Sequence, residues 1–278
     1  MAAEKGRTPP DATENGSHSW TGRLPPDLDA LELIAFCAWC FAVALAGGVV
    51  GLVLGNIRLP AVLLVASHPA AGAGANIGIS GVAATAAAIV HVRAGRINWR
   101  LFAWMAPPSM AGAVAGGYLS GVLPDDALLV TIGAVLLYFG IDLLRDGTPQ
   151  RADSRPDGEL DIRAAVLTGA AVGLLGGLVG LILGALRMPA LLRYVGETAA
   201  RAVGTNLAVG VCVGIAGVLG HAPDGVDWDL LAIGSAASVP GALLGARLTG
   251  RLSERQLLRA IGAMLVVAGA TTALQALW

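Results

Sequence analysis

The sequence predicts an all-α polytopic membrane protein made of two homologous, inverted repeats, each a broken helix or re-entrant hairpin followed by three transmembrane helices. Three observations carry that expectation. The first is composition: of 278 residues, 55% are hydrophobic and 13% charged, and the mean hydropathy is +0.71. An ordinary soluble domain carries about a quarter charged residues, and half that number cannot solvate a globule of this size. The second is a set of runs free of Asp, Glu, Lys and Arg, namely Leu33–Ile57, Leu59–Val92, Leu101–Pro124, Ala164–Leu186, Ala202–Pro223, Leu230–Ala246 and Ala260–Trp278. At 1.5 Å per residue most of them are long enough to cross a hydrocarbon layer of ~30 Å. The third is that the apolar part of the chain occurs as two copies.

Residues 1–30 hold Pro9, Pro10, Pro25 and Pro26, scattered acids and few large apolar side chains. Such a segment cannot offset the entropy of its own ordering and reads as a disordered tail. It lacks the basic start, short apolar stretch and small-residue cleavage site of a secretory signal. Repeat one then covers 31–144, a polar linker 145–163, and repeat two 164–278.

With a shift of 129 residues, Gly47–Ala61 falls on Gly176–Ala190, and both keep G-G-x-V-G-L-x-L-G-x-x-R-x-P-A. The match continues through Gly74-Ala75-Asn76 on Gly204-Thr205-Asn206, His91 on His221, Trp99 on Trp228, Gly112 and Gly116 on Gly241 and Gly245, and Ile132-Gly133-Ala134 on Ile261-Gly262-Ala263. Internal repeats of this kind build many secondary transporters. Each copy starts with a broken segment (31–75; 162–201), and three helices follow it (76–92, 101–122, 127–144; 202–221, 229–250, 256–277). The break is expected where the glycines meet Arg-x-Pro, because proline removes a donor and disfavours helix in the residue before it. Irregular backbone at membrane depth survives only in protein or beside a wet cavity, so a doubled break points to a site.

Charge sets the orientation. Arg93, Arg96 and Arg100 follow the second segment of repeat one, whereas the equivalent loop of repeat two holds Asp224, Asp227 and Asp229. One helix later the pattern reverses, with Asp125 and Asp126 in the first copy and Arg247, Arg251, Arg255 and Arg259 in the second. The positive-inside rule puts equivalent loops on opposite sides, which inverts the repeats. Two hairpins then enter from opposite faces with their breaks meeting near the midplane. The linker, with Arg145, Arg151, Arg155 and Arg163, is cytoplasmic and both termini lie outside. The plainer alternative is eight simple crossings in parallel repeats.

Arg58 and Arg187 occupy the same repeat position, before Leu59-Pro60 and Met188-Pro189. A guanidinium is expensive at the centre of a bilayer, and meeting that cost twice suggests an anionic partner whose two oxygens suit the planar fork. In the alternative reading both arginines snorkel to headgroups at hairpin ends. Gly51, Gly55, Gly180 and Gly184, with helices restarting at or after Pro60 and Pro189, would expose backbone N–H groups at positive helix ends, an anion cradle. Gly112/Gly116 and Gly241/Gly245 are read instead as close helix packing. Asn76 and Asn206, preceded by Ala75 and Thr205, open the next helix, where a polar side chain either caps or meets a solute oxygen. His68 and Glu197 sit between break and helix, where either can titrate during transport. His91 and His221 close their helices, as the dipole favours, and Asp142 reads as an interfacial charge.

Other classes are set aside. The net charge is −1 with a single lysine, Lys5, so no basic face recruits nucleic acid. Cys37, Cys40 and Cys212 lie in apolar runs and read as small packing residues. There is no His-Glu-x-x-His, Gly-x-Ser-x-Gly, phosphate loop or metal-ligand cluster, and Gly78-Ile79-Ser80-Gly81 is too short a match to a nucleophile motif. Neither catalytic residue, metal nor cofactor is expected.

The glycine-rich stretch before x-x-Pro, then Ala202-Val203-Gly204-Thr205-Asn206-Leu207, His221 and Gly225-Val226-Asp227-Trp228-Asp229-Leu230, resembles the sulfite exporter TauE/SafE family of membrane permeases. The first half shows the same order in Gly74-Ala75-Asn76, His91 and Arg93–Leu101. The resemblance implies a multi-pass permease of the bacterial inner membrane that moves sulfite, sulfonates or related small anions, usually outward. The chain departs from the pattern in its isolated glycines before the proline, in arginine where an aliphatic residue is usual, and in Ala75 for threonine.

The resulting expectation is a permease binding a small anion near the midplane. Arg58 and Arg187 supply charge, the breaks at Gly51, Gly55, Pro60, Gly180, Gly184 and Pro189 supply backbone donors, and Asn76, Thr205 and Asn206 supply hydrogen bonds. Its partners are that solute and the lipid bilayer, with a homo-oligomer left open. The alternatives are an integral-membrane enzyme and a structural membrane subunit.

Overall fold

A computed structural model describes residues 29–67, 69–119, 125–146, 161–179, 182–221 and 226–276. Most of the tail, the centre of the linker, His68, Gly180, Asp224 and the His221 side chain lie outside the described residues. Asp29 and Glu32 form a capping box that opens α1 (Ala30–Val50), so helix begins just inside the expected tail. Repeat one continues with α2 (Gly55–Val65), α3 (Pro69–Arg93), α4 (Trp99–Tyr118) and α5 (Asp125–Asp146). Repeat two has α6 (Ile162–Val179), α7 (Gly184–Ala190) running into a π-helical turn Leu191–Val195, then α8 (Ala199–His221), α9 (Trp228–Thr249) and α10 (Glu254–Gln275).

Every regular element among the described residues is helical, and seven of the helices, α1, α3, α5, α6, α8, α9 and α10, are long and apolar enough to cross a bilayer. The fold class is therefore the expected one, a multi-pass all-α membrane protein. Helix α4 matches them in length, but Trp99, Arg100, Trp104, Pro107 and Pro108 lower its hydropathy.

Two expectations are corrected. The break lies upstream of Arg-x-Pro: α1 stops at Gly51, residues 52–54 are irregular, and α2 already runs from Gly55, with Pro60 inside it. Pro189 likewise lies inside α7. Proline at the sixth helical position lacks the N–H that would reach the Asn56 carbonyl, and Gln275 Nε2 donates to that carbonyl instead at 2.8 Å. Beyond Pro189 the chain widens into the π turn, where the Leu191 N–H reaches the carbonyls of Arg187 and Met188. The second correction concerns Asn76 and Asn206. Helices α3 and α8 begin at Pro69 and Ala199, so both asparagines stand in helix interiors and cap neither.

Gly51 satisfies two requirements at once. Its φ of 70° closes α1 in the left-handed region, with its N–H on the Gly47 carbonyl. A Cβ there would also lie 2.5 Å from the Val203 Cα of α8. Helix α1 packs along α9, and α4 along α6. Gly241 and Gly245 press on the α1 backbone, Gly112 and Gly116 on that of α6, the close packing expected of them. Helices α3 and α8 pack together at the centre, and α5 pairs with α10.

The two ends of the bundle differ in charge. At one end the loop before α9 docks on the loop before α3, with Asp227 accepting from the Ser67 backbone at 3.3 Å and Asp227 N–H on the Ala71 carbonyl at 3.2 Å. Phe36, Cys40, Val62, Ala75, Ile79, Val226 and Leu230 form one buried cluster near this end. At the other end the loop before α4 meets the end of α9 and the segment before α8: Arg96 Nη1 donates to the Ala246 carbonyl at 3.2 Å, and Asn98 Nδ2 to Glu197 Oε2 at 2.6 Å. Helix α2 thus returns to the end from which α1 departs, so α1 and α2 together form a hairpin. Arg93, Arg96, Arg100, Arg247 and Arg251 gather at the second end; Asp29, Asp227 and Asp229 lie at the first.

Candidate functional site

The elbow of repeat one, residues 51–54, brings Arg58 inward on the first turn of α2. Its side chain is 2% exposed, so it does not snorkel. Nε donates to Asn76 Oδ1 at 3.0 Å, and Nη2 donates to the Asn76 carbonyl at 2.9 Å and to Ser80 Oγ. Asn76 Nδ2 in turn donates to the Gly55 carbonyl at 3.0 Å, fastening the start of α2 to the middle of α3. Ser80 stands one helical turn beyond Asn76 on the same face. That i, i+4 spacing was the available signal for a residue that motif reading passes over as an incomplete nucleophile site.

In repeat two Arg187 is 1% exposed and Asn206 is fully buried. Asn206 Nδ2 donates to the Gly184 carbonyl at 2.9 Å, as Asn76 does to Gly55, and also to the Gly51 carbonyl of the other elbow at 2.8 Å. The elbows therefore touch. Arg187 Nε and Asn206 Oδ1 are buried without a hydrogen-bond partner.

Among the described residues neither buried guanidinium has a carboxylate within ion-pair distance. Among the described residues the ion pairs join Arg193 to Asp142 and Arg201 to Glu197. Desolvating a cation that has no counter-ion is costly. A cavity of about 20 Å³, room for about one water molecule, lies beside Arg58 and Ser80, walled by Val43, Gly47, Leu54 and Ala84.

The remaining expected site residues are scattered. Thr205 Oγ1 accepts from the Asn98 N–H at 3.0 Å and so braces the loop before α4. Pro60 is exposed on the outer face of α2, whereas Pro189 is buried. Gly51, Gly55 and Gly184 are buried at the elbows, and Gly180 lies outside the described residues. Glu197, 9% exposed, holds Asn98 and the Thr198 N–H at the arginine-rich end, away from the elbows. Asp142, read as an interfacial charge, ties α5 to the π turn through Arg193. Asn56, which no sequence argument singled out, donates to Thr272 Oγ1 at 2.8 Å and fastens α2 to α10. No group of three His, Cys, Asp or Glu side chains suited to a metal occurs among the described residues.

Compared with known families, residues 36–272 match the profile described as sulfite exporter TauE/SafE, a span that includes both elbows and every helix that contacts them. No curated protein and no solved structure matches the chain.

Proposed function

Because the chain belongs to the sulfite exporter TauE/SafE family of membrane transporters, we propose that it exports a small oxyanion, sulfite or a sulfonate, by alternating access at the two touching elbows. Transport, rather than catalysis, is the activity of this family, and the cell membrane is its place. One observation carries the finer reading: Arg58 and Arg187 are both buried at helix breaks that touch, and neither has a carboxylate within ion-pair distance among the described residues. The planar fork of arginine suits two oxygens of a sulfite or sulfonate group.

Charge segregation supports an inverted arrangement of the halves. With the arginine-rich end in the cytoplasm, the α1–α2 hairpin enters from outside and the α6–α7 hairpin from inside. Helix pairings related by exchange of the halves, α1 with α9 and α4 with α6, fit that scheme. Rocking one half on the other then exposes the elbows to each side in turn. An inside-negative potential favours anion exit by ~2.3 kcal/mol per charge per 100 mV, so no coupling ion is needed.

The reading is tested by efflux from proteoliposomes loaded with sulfite, methanesulfonate, taurine, sulfate, acetate or phosphate. Sulfite or a sulfonate should leave fastest, faster still when the potential is negative inside, and Arg58→Ala or Arg187→Ala should remove most of the flux. Equal slow leakage of all six solutes from wild-type and variant vesicles would reject it.

A further inference from the structure

The loops that close the two ends of the bundle are built alike. Asn98 aligns with Asp227 at the 129-residue shift, and each caps the helix that follows it. Asn98 Oδ1 accepts from the Leu101 N–H and Asp227 Oδ1 from the Leu230 N–H, both at 3.1 Å. The second prong of each side chain crosses to the opposite half, to a residue two positions ahead of α8 or α3. Asn98 Nδ2 donates to Glu197 Oε2 at 2.6 Å, and Asp227 Oδ2 accepts from the Ser67 N–H and hydroxyl at 3.3 Å. The main chains repeat the pattern, with the Asn98 N–H on Thr205 Oγ1 of α8 and the Asp227 N–H on the Ala71 carbonyl of α3.

Capping alone is met by serine, whose single oxygen reaches no further. The second contact therefore serves something other than the helix start. Both contacts join repeat one to repeat two, one at each end, with the elbows between them. Thr205 adjoins Asn206, the amide that holds the Gly51 and Gly184 carbonyls. The arginine-rich contact is buried, Asn98 being 7% and Glu197 9% exposed, whereas Ser67 at the acidic end is exposed.

We propose that Asn98 and Asp227 are the paired gate residues of the transport cycle. Releasing Asn98 from Glu197 opens the elbows to the arginine-rich end, and releasing Asp227 from Ser67 opens them to the acidic end. Neither side chain touches the solute; each acts by holding its loop on the other half. Alternating access then requires one latch to hold while the other lets go. This assignment rests on the anion-transport reading above and adds which bonds break at each end.

The test reads access from each side in the full-length protein in its membrane, as the rate of reaction with a membrane-impermeant maleimide. Cys40, fully buried near the acidic end and kept as the sole cysteine, reports that side. Ala87→Cys, in a chain otherwise free of cysteine, reports the other, because Ala87 is buried beside the Arg58 cavity one turn before His91. Asn98→Ser keeps the cap and drops the latch. Ala87→Cys should then react at least about tenfold faster in inside-out vesicles, the equivalent of one charge-assisted hydrogen bond lost, while Cys40 reacts no faster in intact cells. Asp227→Ser should do the reverse. Asn98→Asp sets carboxylate against carboxylate and should open the end as Asn98→Ser does; adding Glu197→Gln restores a donor and should return the wild-type rate. If Asn98→Ser fails to fold, that reversed pair decides. Wild-type labelling in the folded variants, or equal acceleration at both reporters, overturns the gates and leaves the transport reading standing. A wild-type protein that moves no sulfur oxyanion in the efflux assay overturns the transport reading and the gates with it.

Discussion

Asn206 Nδ2 donates to the Gly51 carbonyl at 2.8 Å, joining the middle of α8 to the elbow that ends α1, 155 residues away in sequence. The same nitrogen holds the Gly184 carbonyl of its own elbow at 2.9 Å. A single amide therefore ties the two irregular segments together.

Replacing Asn206 with alanine should strand both carbonyls. A buried acceptor left without a donor costs about 1–3 kcal/mol, so Asn206→Ala should lower the melting temperature in detergent clearly, and more than Asn98→Ala, whose lost contacts lie at the bundle end. Equal melting of the two variants would remove the elbow bridge from the account of stability.

Gly51 and Gly95 both have positive φ, 70° and 65°, but a Cβ at Gly95 meets nothing within 4 Å while one at Gly51 meets Val203 at 2.5 Å. Gly95→Ala should thus cost only the left-handed strain of about 1 kcal/mol. Gly51→Ala adds overpacking and should cost at least about 3 kcal/mol. Denaturant titration of the pair separates backbone strain from collision.

The exposed Pro60 and the partly buried Gln275 form a coupled pair through the Asn56 carbonyl. Gln275→Leu alone should destabilise by about 1–3 kcal/mol, since that carbonyl loses its donor. Made together with Pro60→Ala, the same change should cost much less, because alanine restores a helical N–H at that place. Strict additivity in this double-mutant cycle would mean that Gln275 does not stand in for the missing donor.

Arg96 reaches the Ala246 carbonyl at 3.2 Å, so the loops before α4 and before α10 share one end of the bundle. Single cysteines at Ala94 and Ser253, in a chain without Cys37, Cys40 and Cys212, should react with a membrane-impermeant thiol reagent only after the cytoplasmic face is opened. A cysteine at Asp229 should react in intact cells. Labelling of Ala94 and Ser253 from different faces would contradict the hairpin topology.

Helix existence and approximate extent were legible in the charge-free runs. The start of α3 was not: residues 69–75 were assigned to the end of the broken segment, yet Pro69 suits a first helical position and Gly72 lets Val62 and Leu63 of α2 approach. The elbow was legible as a doubled glycine motif but misplaced by several residues, because proline announces a missing donor while its replacement, Gln275, lies 219 residues from Asn56. The buried arginines were identifiable from their repetition. That Arg58 is held by Asn76 and Ser80, while Arg187 Nε and Asn206 Oδ1 have no hydrogen-bond partner among the described residues, was not legible, because the same motif surrounds both arginines.

The glycine seams of α1 with α9 and of α4 with α6 carry a mechanical consequence. Where a bare Cα rests against the neighbouring main chain, sliding by even one residue drives a side chain into backbone. Each seam joins a helix of one half to a helix of the other, so the halves resist shear along these two lines and are left free only to turn about them, as a door turns on its pins.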